Sequence, residues 1–256
     1  MRIGDGHGEL DDVTETNALA VAEDTPTQDR VIAAALIEDI VEWRIKPGSW
    51  IREREIAKRF GVSHAPVREA FRHVANIGFI QVVPWRGAHV IEIDRHAATE
   101  VLELWKAMFG VVCRLAAIKL SDEDGQELMR RLEGYKKLVH ETTNTFEHLA
   151  LSNRVGAFIA RRCGGALATD MLDRIALFAR WQHHVVSEDY FGDDAGVRSA
   201  ELYEVLCRHI VARAPDAADA AARALLGHLQ DRFTAPLDDY LTARRAEQAK
   251  VSGRKE

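Results

Sequence analysis

The sequence predicts a mainly α-helical protein built in two parts, a winged helix-turn-helix followed by an all-α bundle of six or seven helices. Three observations predict this. Residues 28–93 spell helix, helix, tight turn, helix and β-hairpin in that order. From Thr99 to about Leu241 there is almost no strand signal, while helical periods recur at 95–120, 122–141, 145–163, 166–190, 198–213 and 216–242. The breaks between them fall at helix punctuation: Ser121-Asp122, Gly164-Gly165, Gly192-Asp193-Asp194 and Pro215.

The elements follow in order. Residues 1–27 are Gly- and Asp-rich without sustained periodicity and are expected to be disordered. "TQDRVIAAALIEDIVEWRI" places Val31, Ala35, Ile37, Ile40 and Val41 for an amphipathic helix, with Thr27 or Asp29 at its start and "KPGSW" at its end. "IREREIAKRF" is a short helix with Ile56, Ala57 and Phe60 on one face. "GVS" is a tight turn, and "HAPVREAFRHVANIG" is a second helix closed by Gly78. Pro66 is tolerated because first-turn N–H groups have no intrahelical acceptor. "FIQVVPWRGAHVIEI" reads as two strands around Trp85-Arg86-Gly87. The domains are therefore 1–27 acidic segment, 28–93 winged helix-turn-helix, 94–242 all-α ligand-binding and dimerisation domain, and 243–256 flexible tail.

Composition bounds the function. Of 256 residues, 47% are hydrophobic and 29% charged, a globular balance, and no apolar run reaches membrane-spanning length. The N-terminus lacks the basic start and apolar core of a signal peptide, which points to the cytoplasm. Cys113, Cys163 and Cys207 are widely spaced and read as buried, reduced thiols. The net charge of −6 is uneven: residues 1–27 hold seven acids against one Arg, whereas residues 50–91 hold seven Lys/Arg against three acids. That local basic field is what a phosphate backbone meets.

Two short helices joined by a Gly-containing turn form a helix-turn-helix, whose second helix presents its N-terminal residues to base edges in the major groove. The start of such a helix must be slim, and Ser63, Ala65 and Pro66 are small or compact. Its free N–H groups attract a phosphate. Arg68, one turn in, reaches a guanine edge or a phosphate, and Arg54 is placed toward the same groove. Lys58, Arg59 and Arg72 are assigned to the flanking backbone, and Arg86 and Gly87 to the minor groove. On spacing alone, a helical hairpin with a solvated basic face stands as an equal alternative.

The stretch "RIKPGSWIREREIAKRFGVSHAPVREAFRHVANIGFIQVVPWRGAHVIEI" resembles the winged helix-turn-helix of the GntR family of bacterial transcription regulators. The residues that carry the resemblance are Pro47-Gly48, Glu53-Arg54-Glu55-Ile56-Ala57, Gly61-Val62-Ser63, Pro66-Val67-Arg68-Glu69-Ala70, Gly78 and Arg86-Gly87. The resemblance implies DNA contacts from Arg54, Ser63, His64, Ala65, Arg68 and Gly87. His64 stands where the family usually has Arg, and Ala65 where it usually has Thr. A neutral imidazole donates one hydrogen bond where Arg donates two, which alters operator preference at that base pair.

The all-α part resembles the FadR branch of the family and its FCD ligand-binding domain. Many members hold a divalent metal there with Asp-x3-His on one helix and His on two later ones. On this chain those positions fall on Asn153, Ala157, Tyr203 and His228, so a metal is not expected and no cofactor is assigned. The branch often has Arg and then Glu in the pocket-facing turn of its first helix, where this chain has Trp105 and Phe109. With Met108 and Trp181 these either line an apolar cavity or simply fill the core. Expected ligand-binding residues are Trp105, Phe109, Asn153, Trp181, Tyr203 and His228. In the core-filling alternative, an anion binds at Lys106, Arg114 or Arg180. His184 and Glu188, at i and i+4, are a metal pair or a surface ion pair. His140 and His148 are expected to be exposed.

The resulting expectation is a ligand-responsive regulator and not an enzyme. It would be a homodimeric repressor of a catabolic or transport operon, reading an inverted repeat in double-stranded DNA and released by a small organic effector. The alternatives are an all-α enzyme with an appended DNA-binding domain, and a constitutive dimeric DNA binder without effector.

Overall fold

A computed structural model describes residues 27–142, 144–186 and 195–252. The expected disorder of residues 1–27 falls almost wholly outside them, as does Glu188. Nine α-helices and one three-stranded sheet are found among the described residues, in two parts.

The first part begins with α1 (Gln28–Val41), which buries Ile32, Leu36 and Ile40 against α3 (His64–Ile77). The buried face is rotated from the expected one: Val31 is 46% exposed, and Ile32 and Leu36 take its place. The helix also stops earlier than "KPGSW". Trp43 adopts a left-handed backbone (φ 53) and donates its amide to the Ile40 carbonyl. α2 (Glu53–Phe60) ends on Gly61, whose φ of 65 is the left-handed conformation that closes the turn into α3. Val67, Phe71 and Val74 of α3 are buried.

Strands β1 (Trp50–Ile51), β2 (Ile80–Val83) and β3 (Gly87–Val90) form an antiparallel sheet of order β1-β3-β2, with Trp50 opposite His89 and Ile80 opposite Val90. β1 has no counterpart in the sequence reading, because two residues carry no period.

The second part contains α4 (Arg95–Lys119), α5 (Asp122–Glu141), α6 (Thr145–Arg162), α7 (Ala166–Gln182), α8 (Ala195–Val211) and α9 (Pro215–Ser252), with a 3-10 turn at His183–Val185. Their starts obey capping chemistry. The Asp94 carboxylate accepts from the Ala97 amide at 2.8 Å, and Ser121 Oγ accepts from the Asp124 amide at 3.1 Å. α9 runs to Ser252, ten residues past the end expected at 242. "RRAEQAKV" is rich in strong helix formers, and Arg244 is held by the Pro47 carbonyl at 2.9 Å and by Glu92. His148 is another departure. It is buried at the α5–α6 connection, its Nε2 2.7 Å from the Thr142 carbonyl, whereas His140 is exposed. All three cysteines are free and buried.

The two parts share an aromatic seam. Phe79 stacks on Phe178 of α7 (4.3 Å between centroids) and meets Trp181 edge-on at 5.8 Å. Trp43 Nε1 donates to the Trp181 carbonyl at 3.0 Å, and its ring stacks on His184 and leans on Tyr240. Arg174 of α7 donates to the Asn76 carbonyl at 3.3 Å.

Within the first part, buried Asp39 ties three segments together. It accepts from Arg44 Nε at 2.6 Å and from Arg59 Nη1. Arg59, assigned by sequence to the DNA backbone, is therefore committed to the fold. Burial raises the Asp39 pKa, but hydrogen bonds from Arg59 and Arg44 outweigh it and leave the pKa below the usual 3.8. The stabilisation is thus present above the unfolded value and lost as pH falls through the lower folded value. Asp39→Asn is expected to cost about 1–2 kcal/mol at pH 7, with the deficit shrinking below about pH 4. Urea titrations of both proteins read this directly, and coincident midpoints at pH 7 would rule out the clamp.

Candidate nucleic-acid interface and ligand cavity

The reading end is built where α2 and α3 meet. Ser63 caps α3 in extended conformation without a side-chain cap bond, leaving its hydroxyl to other partners. Glu53, at the first turn of α2, accepts from Arg68 Nε at 2.9 Å and lies 3.5 Å from His64 Nδ1. One carboxylate therefore gathers the arginine and the histidine that sequence reasoning assigned to base contacts. Glu53 itself was missed in that role. Arg54, Lys58, Ser63, His64, Ala65, Arg68, Arg72 and Arg86 are all exposed. Arg72 is paired with Glu69.

The wing is a tight turn of particular type. Arg86 N–H donates to the Val83 carbonyl at 3.1 Å, Pro84 takes the second position, and Trp85 takes the third with φ 65. Pro at the second position and a positive φ at the third make this a type II turn carrying Trp where Gly is preferred. The Trp85 side chain is fully exposed. Gly87 (φ 105) is half-buried, and a Cβ there would stand 2.3 Å from the Ile51 carbonyl oxygen. Its lack of a side chain thus serves the β1–β3 approach, whatever it does toward DNA.

Behind this domain, α4, α6, α7, α8 and α9 line a cavity of about 410 Å³. Trp105 and Phe109 enter from α4, Asn153 and Ala157 from α6, and Tyr203 from α8. α7 contributes Leu172, Asp173, Ala176, Leu177 and Arg180, followed by His183. Gly156, Ala157, Ala160 and Ala176 keep the floor open. The structure thus brings together four of the six expected ligand-binding residues. Trp181 and His228 are not among the lining residues. Trp181 sits one step round α7 from Arg180 and packs under the first domain. Of the alternative anion sites, Arg180 lines the cavity, while Lys106 pairs with Glu103 and Arg114 with Asp216 elsewhere. Asp173 and His183 were not foreseen in the wall, because several helices must be placed before α7's inward face is known.

A metal does not fit at the positions the family resemblance assigns to its ligands. Asn153, Ala157 and Tyr203 supply no anionic or imidazole ligand. The Tyr203 hydroxyl donates to the Ser152 carbonyl at 3.1 Å and accepts from Ser152 Oγ at 3.2 Å. Burial pushes its pKa up, so no phenolate is offered. Among the described residues no three His, Cys, Asp or Glu groups gather as ligands.

His183 packs edge-on to Trp105 at 5.9 Å and to Phe233 at 6.5 Å. Burial, with a smaller push from His184, lowers it from 6.5 to about 4, so it is neutral near pH 7. A depressed histidine contributes stability that is fully present above the unfolded pKa and is lost as pH falls from 6.5 toward 4. His183→Gln is expected to remove this component. Wild type should lose on the order of 1–2 kcal/mol more than the variant between pH 7 and pH 5. Parallel thermal melts at the two pH values check it.

Residues 28–90 match the family described as "Bacterial regulatory proteins, gntR family". The HTH-type transcriptional repressor RspR of Escherichia coli K12 is 29% identical over 152 residues, 59% of this chain and 66% of that protein, just under two thirds of its length. A probable D-xylose utilization operon transcriptional repressor of Paenarthrobacter nicotinovorans is 34% identical over 82 residues, 32% of this chain and 36% of that protein. Among solved structures, E. coli McbR/YncC superposes with a TM-score of 0.63 at 18% identity, covering 84% of this chain and 99% of that one. A putative GntR regulator from Rhodococcus sp. RHA1 gives 0.57 at 20%, covering 83% and 99%. These structures share the two-part fold. No helix among the described residues is long and apolar enough to cross a membrane. Residues 28–90 are therefore similar to the gntR-family model, and the chain shares its two-part fold with these solved structures.

Proposed function

We propose that this protein is a homodimeric, effector-responsive transcriptional repressor of a catabolic or transport operon, cytoplasmic and without enzymatic activity. The observation that carries the reading is the exposed α2–α3 end, where Glu53 presents Arg68 and His64 beside the uncapped start of α3. Arg54 and Lys58 are exposed on the preceding helix. Two relatives are described as repressors, which favours repression here. The cavity supports a ligand rather than a reaction. His183 is held neutral and the Tyr203 hydroxyl is bound to Ser152, so neither is poised to exchange a proton. A small organic effector with apolar or aromatic surface suits Trp105, Phe109 and the small-residue floor. Burial at ~25 cal/mol per Å² supplies its affinity, and Asn153 stands at the wall to orient it.

Leu104, Val111 and Ile118 recur every seven residues on α4 and are 48%, 39% and 55% exposed. Leu167 and Met171 of the adjoining α7 are exposed too. We assign this apolar face to a second copy of the chain, which sets two readers against an inverted repeat. Ile118→Glu is expected to shift the protein from dimer to monomer in sedimentation. It should also weaken binding to a two-half-site operator by at least about tenfold. A variant that stays dimeric would place the interface elsewhere.

Arg68→Ala and Arg54→Ala are each expected to cost about 1–3 kcal/mol of operator affinity in gel shifts. Lys58→Ala should weaken all sequences alike and flatten the salt dependence by about one phosphate contact. Unaltered specific affinity in Arg68→Ala would mean α3 is not the reading helix.

A further inference from the structure

We propose that Arg180 is a shared residue, claimed either by Glu42 of the DNA-binding domain or by the carboxylate of an acidic effector. Cavity occupancy would then be transmitted to the reading head through α7. This rests on the effector-responsive reading above and names the effector's charge and the route of its signal.

The geometry is a helix with two employed faces. Asp173, Ala176, Leu177 and Arg180 line the cavity. Arg174, Phe178 and Trp181, interleaved among them, hold the first domain through Asn76, Phe79 and Trp43. Arg180 belongs to both sets: it lines the cavity, and its Nη2 lies 3.2 Å from Glu42 Oε1. Glu42 is the C-cap of α1 and immediately precedes Trp43. Its second oxygen is 3.9 Å from His184, whose ring stacks on Trp43.

The pair is easy to open. Both side chains are partly exposed, at 50% and 39%, and such ion pairs contribute little in water. A carboxylate arriving in the cavity meets a guanidinium of its lining and gains a charge-assisted hydrogen bond there. Asp173 lines the same wall seven residues back, about 10 Å along the helix. It repels an anion from that end, so the acid group is directed to Arg180 and the apolar body to Trp105 and Phe109.

What Glu42 loses matters because Trp43 is strained. A non-glycine residue in left-handed conformation costs about 1–2 kcal/mol, and here it persists because its ring is docked. Withdrawing Arg180 removes one tie from the residue next to that strained position. The buried Trp181 Nε1 finds no acceptor among the described residues, so the seam has little surplus bonding to hold it shut.

The test uses the full chain and has two arms. The first needs no effector. Operator affinity is measured for Glu42→Gln, Arg180→Gln and the double variant, on a sequence selected by the wild-type protein. Each single variant should lower affinity about threefold, and the double variant no further than either. The second arm measures binding of phenylacetate and indole-3-acetate, each beside its neutral amide, by calorimetry. The acids should bind about tenfold better than the amides. That preference should vanish in Arg180→Gln and grow about threefold in Glu42→Gln. Additive or silent effects in the first arm overturn the relay. Equal binding of acid and amide, or no binding of either acid, overturns the assignment of effector charge. A wild-type protein that selects no operator defeats the regulator reading itself, whereas intact operator selection with uncoupled variants defeats this inference alone.

Discussion

One tryptophan, Trp43, anchors the seam between the two halves of this protein, and much of the architecture follows from where it must sit. Trp43 turns its backbone into the left-handed region just past α1, and its indole N–H reaches the carbonyl of Trp181. That carbonyl belongs to the last turn of α7, one of the helix-end acceptors that no intrahelical amide satisfies. The bond is therefore a helix cap supplied by another domain. It fixes the end of α7 against the end of α1, and the Phe79–Phe178 stack fixes α7 at a second point one turn away. The cost of the left-handed backbone is offset only while the indole is docked, so the local conformation of the head and the placement of the bundle are one equilibrium.

Most of the helical order is legible in the sequence because it is local. Asp94 and Ser121 announce α4 and α5 by side-chain caps, and Gly61 and Gly78 close α2 and α3 by their positive φ. What the sequence hides is tertiary. α1 ends at Val41 because Trp43 is recruited by α7, and no residue pattern in "VEWRIKPG" records that partner. β1 exists because Gly87 lets β3 come within bonding reach of Ile51. α9 outruns its apolar period because Arg244 is anchored on Pro47 and Glu92, contacts nearly two hundred and about one hundred and fifty residues away in the chain. His148 is buried for the same kind of reason: the Thr142 carbonyl, at the end of the preceding helix, offers its ring a partner.

The candidate sites divide along the same line. Trp105, Phe109, Asn153 and Tyr203 come from three helices, and a family resemblance selected them because it carries positions already sorted in space. Trp181 shows the limit of that transfer. One residue along a helix is a rotation of about 100°, enough to move an aromatic ring from a cavity to a domain seam. Asp173 and His183 have no signature in sequence, and Arg180 stood there only among three candidate anion sites, since a charged residue on an amphipathic helix reads as solvated until its neighbours are known. Glu53 was invisible for another reason. Its acid runs against the basic pattern that identifies a DNA-binding face, although its carboxylate is what holds Arg68 and His64 in place.

The cavity's own bonding limits how it can recognise anything. Tyr203 and Ser152 satisfy each other, and Tyr135 shares its hydroxyl with Ser199 at 3.2 Å, so this buried polar cluster is internally complete. A ligand that sought the Tyr203 hydroxyl would have to break a bond to make one, for little net gain. His183 is neutral and wedged against Trp105, and adds ring surface rather than charge. Shape and apolar burial then set most of the affinity, and discrimination falls to the groups whose present bonds are weakest. Arg180 meets that description, because it lines the cavity and its bond to Glu42 is partly exposed. The residue best able to choose a ligand is thus also one that holds the DNA-binding domain, and recognition cannot occur at one without being felt at the other.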